Sequence, residues 1–454
     1  MGSRSRQMER VGVLVSMLAA VILVGGAACS ESIHNPSEGP APILDTSAEA
    51  GEDLVDRIAY VSPLGDLFTV GPDGNNQIQL TGGRQVGQGP EGAAQAQSLR
   101  LDEYYAWPTW SADGTKIAAS RVSVRENRAE ITLQVMDAQS GNSHTVYKNQ
   151  QDGLIADGAP HYIYWAPTGG NLSFLASTPD GLALLVWDGT PGRAPDVVDR
   201  GAPLYYDWSP DASAMARHVG AELTYSRPAA GGAPQQVAGA SGGFRAPAIS
   251  PDGRDLAYAV DTPEGSGLFI TPIDDLSQSR KVMDIGILAA FSWSPDGTRL
   301  AVGDQQNPRS PILDRLVLTP ADGGPSTTLS TEGVLAFFWS PSGENIAWIE
   351  VNASNQEMEW VVSPGAGTDA KRLFSFQPSS QMFILFSFFD QYAYSHSPWS
   401  PDGKSLVMAG QKGEVARRSN GRTPTGDRIY VLDIEGDPTP RDLGPGVLAV
   451  WSWN

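Results

Sequence analysis

Trp293-Ser294-Pro295-Asp296-Gly297, running on into Thr298, Arg299 and the apolar stretch Leu300-Ala301-Val302, limits the folds open to this chain more than any other stretch. Proline presets φ near −65°, aspartate bonds to the backbone two residues on, and glycine accepts positive φ. An aromatic strand enters this turn and a strand beginning Leu-Ala leaves it, so the unit reads as a β-hairpin. The unit recurs at Trp110-Ser111-Ala112-Asp113-Gly114, Trp165-Ala166-Pro167-Thr168-Gly169, Trp208-Ser209-Pro210-Asp211-Ala212, Ile249-Ser250-Pro251-Asp252-Gly253, Trp339-Ser340-Pro341-Ser342-Gly343 and Trp399-Ser400-Pro401-Asp402-Gly403. The sequence closes on Trp451-Ser452-Trp453-Asn454, where Trp453 aligns with Trp293. A repeat of roughly 40–60 residues built from short strands is the pattern of a β-propeller.

The Ser-Pro-Asp-Gly hairpins resemble the repeats of TolB-type, WD-like propellers over residues 57–454. That resemblance implies an all-β fold. Its members include periplasmic scaffolds and propellers that gate a separate peptidase domain, so it implies no single activity. Arg57-Ile58-Ala59-Tyr60-Val61 matches the strand that follows the turn elsewhere, so the first blade lacks its own inner strand. Residues 447–453 carry that missing pattern. The expectation is a single eight-bladed β-propeller of four-stranded antiparallel blades, closed by the C-terminal strand; seven blades is the alternative count. Third strands are expected at Ile131–Met136, Leu182–Trp187, Ala221–Tyr225, Leu268–Thr271, Arg315–Leu318, Met358–Val362 and Arg428–Leu432, with no amphipathic helix after residue 57.

Residues 1–28 read as a signal peptide. Arg4, Arg6 and Arg10 precede an apolar run from Val11 to Val24, and Gly25-Gly26-Ala27-Ala28 is a small-residue cleavage site. Cys29, the only cysteine, follows at once. Its placement resembles the lipobox of bacterial lipoproteins, which implies lipidation at Cys29, although Gly26 stands where that motif usually has leucine. Residues 29–56, with Pro36, Pro40, Pro42 and a run of acids, read as a flexible acidic tether. One cysteine leaves no internal disulfide, so packing and ring closure must supply stability. A net charge of −20 disfavours nucleic acid and anionic lipid surfaces as partners.

In an antiparallel meander, successive loops alternate between two faces. The long insertions 83–106, 121–130, 303–314, 374–394 and 410–427 fall in second-to-third loops and blade-to-blade links, which share one face. That face is the expected binding face. The insertion before Trp399 holds Phe386, Phe388, Phe389, Asp390, Tyr392, Tyr394 and His396; Tyr104 and Tyr105 form a smaller aromatic set. These are the candidate partner-binding residues, read either as a long inner strand with a buried plug or as an exposed aromatic patch.

Catalytic signals are thin. Gly239-Ala240-Ser241-Gly242-Gly243 fits a nucleophile-elbow pattern but lacks the strand-to-helix context. The five histidines stand far apart, and there is no H-E-x-x-H or C-x-x-C. Asp113, Asp211, Asp252, Asp296 and Asp402 are expected to cap their own turns rather than share calcium. No cofactor is expected, and one channel-bound calcium remains an option. The leading reading is a lipid-anchored, extracytoplasmic propeller of the bacterial cell envelope, a monomer binding an envelope protein or peptide without catalysis. The rival is a glycan- or peptide-processing hydrolase or lyase with acid/base work at Asp102, Glu103, Asp207 or Asp390.

Overall fold

The computed structural model describes residues 56–82, 103–125, 128–149, 160–227, 233–237, 245–262, 265–352, 357–365, 367, 369–413, 426–436 and 439–453. The expected signal peptide, Cys29, the expected tether (except Asp56), Asp102, the Gly239–Gly243 pattern and much of the 83–106 and 410–427 insertions lie outside them.

The described body is an all-β propeller of antiparallel meanders. Its strands form six four-stranded sheets and one seven-stranded sheet. The turn chemistry is local and repeated. Gly297 N–H donates to Ser294 O at 2.8 Å, and Thr298 N–H donates to Asp296 Oδ1 at 3.0 Å. Gly297 has φ +68°, a conformation that a side chain would strain. Asp113, Asp211, Asp252 and Asp402 accept backbone N–H bonds inside their own turns in the same way. The five carboxylates are thereby committed one to a turn, as turn caps.

The hairpin tryptophan does more than fill space. Trp165 Nε1 donates to Thr109 O at 3.2 Å, Trp293 Nε1 to Ala248 O at 3.0 Å and Trp399 Nε1 to Phe338 O at 3.0 Å. In each case the acceptor directly precedes the hairpin position of the preceding repeat. One residue type thus supplies a large buried ring and a bond stapling neighbouring repeats.

The ring closes through the C-terminal strand Leu448–Trp451, which pairs with Ile58–Val61 as Ile58↔Trp451, Ala59↔Val450, Tyr60↔Ala449 and Val61↔Leu448. This register corrects the sequence alignment by two residues. Trp293 pairs with Leu300, the position that Ile58 occupies in the first sheet, so Trp451 and not Trp453 is the hairpin tryptophan. Ser452 then stands where Ser294 does: its N–H donates to Arg57 O at 2.8 Å and its Oγ accepts from Arg57 N at 3.0 Å.

The expected third strands form; six are extended by one to three residues at one or both ends, and the one expected at Ala221–Tyr225 is shifted by one, to Glu222–Ser226. Residues 121–130 are not a loop, however: Lys116–Arg125 and Arg128–Asp137 continue as one long hairpin. The segment before Trp399 departs furthest from expectation. It contains no long inner strand but two helices, α1 (Ser380–Ser387) and α2 (Phe389–Tyr392). Ser379 caps α1 by accepting from Met382 N–H at 3.1 Å. An unbroken apolar run does not by itself distinguish strand from helix. Here the run has no glycine or proline to break it, and at helical spacing it buries Met382, Leu385 and Phe386 on one side. With the helices in place, Trp399 keeps only an isolated bridge to Leu406. The strand Lys371–Pro378 pairs onward with Ser405–Lys412, which makes the seven-stranded sheet continuous.

Candidate functional site

Helix α2 packs among innermost strands from several sides of the ring, while α1 lies against one sheet, from its inner strand to its third and fourth strands. Phe386 meets Trp360 edge-on at 5.7 Å, and Phe389 meets Phe337 edge-on at 4.5 Å. Tyr392 stacks on Trp107 at 5.4 Å and lies edge-on to Tyr162 at 5.7 Å. Trp107 and Tyr162 have φ +56° and +49° at irregularities in their strands, conformations that cost about 1–3 kcal/mol each. The bulges turn both rings onto Tyr392.

This packing corrects the exposed-patch reading. Phe386, Phe389, Tyr392 and His396 are buried, and Phe388, Asp390 and Tyr394 are half-buried. Tyr105 is buried in the strand Glu103–Trp110, beside half-buried Tyr104. His396 Nδ1 lies 2.7 Å from Ser395 Oγ, and burial pushes the imidazole down to about 3, so it stays neutral. Burial of this aromatic set satisfies the apolar surface that an exposed patch would leave in water.

Of the carboxylates suggested for acid/base work, Glu103 is paired with Arg121 at 2.9 Å. Asp207 and Asp390 stand in the tyrosine-rich interior. Burial pushes Asp207 up to about 7, and Asp390 up to about 6. Both are tied to one weak place in the ring. Asp207 Oδ2 accepts from Ile249 N–H at 2.8 Å, and a main-chain bond from Ala246 acts on Asp390. The innermost strand there is only Ala248–Ile249, so the carboxyl groups replace ladder bonds that so short a strand cannot make.

A measurable pH dependence follows. The folded-state value of Asp207 lies above the ordinary 3.8, so its stabilising contribution is full below about pH 4 and is lost as pH rises through about 7. Asp390 acts in the same direction up to about 6. The turn aspartates act oppositely: hydrogen bonds from Ser209 and Ser213 hold Asp211 down to about 2, so its contribution is lost as pH falls. Asp207→Asn keeps an acceptor for Ile249 and removes the charge. It should match wild type at pH 4 and be more stable at pH 8, by on the order of 4 kcal/mol at most. Denaturant melts at the two pH values measure this; equal melts at pH 8 would show that the charge carries no penalty.

The loop-bearing face carries a groove of about 370 Å³, lined by Gly265, Ser266, Asp284, Gly286, Ile287, Gln305, Gln306, Pro308 and Arg315 among others. These residues come from a second-to-third hairpin, the link between two sheets and the 303–314 insertion. Its organiser is Asp304, fully buried, which takes Arg315 Nε and Nη2 at 2.8 Å each, Gly286 N–H at 2.9 Å and Gln306 Nε2 at 2.6 Å. Buried Arg245 holds the other side of the same loop, donating to Ile287 O at 2.6 Å and Gly286 O at 3.2 Å. Gly286 has no room for a side chain, since a Cβ there would stand 1.8 Å from Gln305 O.

Sequence reading flagged the 303–314 loop but missed Asp304, Arg315, Arg245 and Ile287. Asp304 and Arg315 close the two ends of a long hairpin loop and face each other in register. An acid ending one strand and a base opening the next is the signal that finds them. Arg245 has no such signal: it bonds Asp261 within its own sheet, but Gly286 and Ile287 lie in the link to the next one.

No family model matches the chain, and no curated protein matches it. Solved structures do. The chain is similar to the dihydro-heme d1 dehydrogenase NirN, at 12% identity over 89% of this chain and 76% of that one, with a TM-score of 0.52. It is similar to TolB from Acinetobacter baumannii, at 16% identity over 75% and 84% of the two chains, with a TM-score of 0.38. It is also similar to an oligogalacturonate lyase, at 15% identity over 61% and 74%, with a TM-score of 0.44. Likeness at this level speaks to fold alone. Taken with the sheet topology, the likeness to NirN supports a β-propeller fold. Among the described residues no helix is long and apolar enough to cross a membrane, and no group of three or more His, Cys, Asp or Glu side chains is placed to hold a metal ion.

Proposed function

We propose that this chain is a non-enzymatic binding or scaffold propeller of the bacterial cell envelope, with its ligand face on the side of the long loops. The observation that carries the reading is the filled axis. With α2 packed among innermost strands and α1 beside it on one sheet, binding falls to the loop-bearing face, where a groove is already built. The blade count in this reading is eight: the seven-stranded sheet is two repeats, the second having lost its inner strand to the helices except at Trp399. The mature chain is extracytoplasmic, tethered through a lipid on Cys29, and monomeric.

The rival enzymatic reading rests on Asp207 and Asp390, whose raised values suit a general acid. Their engagement with the main chain at Ile249 and Ala246 favours a structural role instead. The test is capture of an envelope protein by the purified, membrane-tethered protein, with glycan and peptide turnover assayed alongside. Saturable capture without turnover is the expected outcome. Turnover that disappears in Asp207→Asn would establish the enzyme.

Anchoring has its own test. Cys29→Ala should give a protein released from membranes or left as uncleaved precursor. Detergent partitioning and a mature mass both unchanged from wild type would overturn lipidation.

A further inference from the structure

We propose that the groove organised by Asp304 is a subsite for an extended segment of polypeptide, which lays an apolar side chain on Ile287 and Pro308 and bonds its main chain to Arg315, Gln305 and Gln306. The proposal rests on the binding reading above and deepens it by naming a place and a ligand class.

Three observations converge on it. The first is rigidity. Ile287 is 63% exposed, yet its loop is pinned from both sides, Gly286 N–H by Asp304 and the carbonyls of Gly286 and Ile287 by Arg245. A large apolar side chain held in water on a fixed loop is preorganised for a partner, because the ordering entropy is already spent.

The second is the pattern of free hydrogen-bonding groups. Asp304 takes Nε and Nη2 of Arg315, and Nη1 has no bond among the described residues. The amide nitrogen of Gln305 donates to Ser310 O and that of Gln306 to Asp304 Oδ2. Their side-chain carbonyls have no bond among the described residues. The lining therefore offers a donor and two acceptors, and a peptide main chain presents C=O and N–H groups to match.

The third is what the lining lacks. It contains no aromatic ring, so neither a base nor a sugar face has a stacking platform. Its charges are internally offset, Arg315 by Asp304 and Asp284 by Lys281, on a chain of net charge −20. That balance suits a neutral main chain better than an anion. The volume falls in the range of about 300–1,000 Å³ usual for ligand sites.

The test uses purified full-length protein and a library of random linear peptides displayed on phage. The best-enriched peptide, fluorescein-labelled, is titrated by anisotropy against wild type and three variants. Ile287→Asp alters only an exposed side chain. The double variant Asp304→Asn, Arg315→Gln removes the ion pair together and leaves no orphan charge. Leu64→Asp alters an exposed residue on another loop of the same face. The expected result is a loss of about tenfold or more in affinity for the first two, none for Leu64→Asp, and an unchanged melt for Ile287→Asp. Affinity indifferent to Ile287→Asp but lost in Leu64→Asp would overturn the groove while leaving the loop-face reading intact. Failure of any peptide to enrich would overturn the ligand class, and capture of an envelope protein would then decide the broader reading alone.

Discussion

A chain ending at Gly446 melts about 10 °C or more below the full chain and self-associates. Leu448, Val450 and Trp451 are each no more than 1% exposed, and each contributes about 1.5–3 kcal/mol by burial. Their loss is a large share of the about 5–15 kcal/mol that typically holds a domain folded. The four-residue register with Ile58–Val61 goes with them, and so do the bonds of Ser452 and Val447 to Arg57 O and Val61 O. Ile58–Val61, buried along its whole length, then becomes an open apolar edge, and an open edge recruits strands from other molecules. Calorimetry and light scattering read the two effects. A truncated protein that stays monomeric with an unchanged melt would show that the closing strand is dispensable.

Phe386→Ala is expected to destabilise the protein by about 3–5 kcal/mol, the usual cost of emptying a buried phenylalanine site. Phe386 is 0% exposed and touches the rings of Phe338, Trp360 and Phe376. Its neighbours belong to strands of one sheet and cannot close on the void without leaving their registers. The result separates two roles for the 380–394 segment. A plug lowers the melting midpoint and leaves peptide affinity at the loop face unchanged once the protein is folded. A recognition element loses affinity with little change in the melt. Denaturant unfolding of Phe386→Ala, set beside its binding curve, makes that separation.

The architecture was legible because its determinants are local. The Ser-Pro-Asp-Gly turns set their own φ values and cap their own backbone within five residues, as at Ser294–Thr298. Strand polarity, loop parity and the pairing of the C-terminal strand with the first followed from counting those turns. Even the error at Trp453 was small. Two tryptophans two residues apart share one strand face, and only the pairing of Ile58 with Trp451 tells them apart.

What the spacing left open was how the segment before Trp399 folds and which side chains it meets across the ring. The apolar segment before Trp399 has no strong period, and its two short helices find their partners in Phe337, Trp360, Trp107 and Tyr162, which are far apart in the sequence. The same packing puts Phe386, Phe389, Tyr392 and His396 in the interior, which decides between the buried plug and the exposed patch. The sequence by itself determined the turns, the alternating strands and the face on which long loops collect, because turn and strand chemistry act within a few residues. Only the tertiary structure decided that the axis is filled, that Asp207 and Asp390 serve Ile249 and Ala246, and that Asp304 gathers Arg315, Gly286 and Gln306 into a groove. Those outcomes depend on burial and on partners far apart in the chain, and neither is written in the spacing of residues.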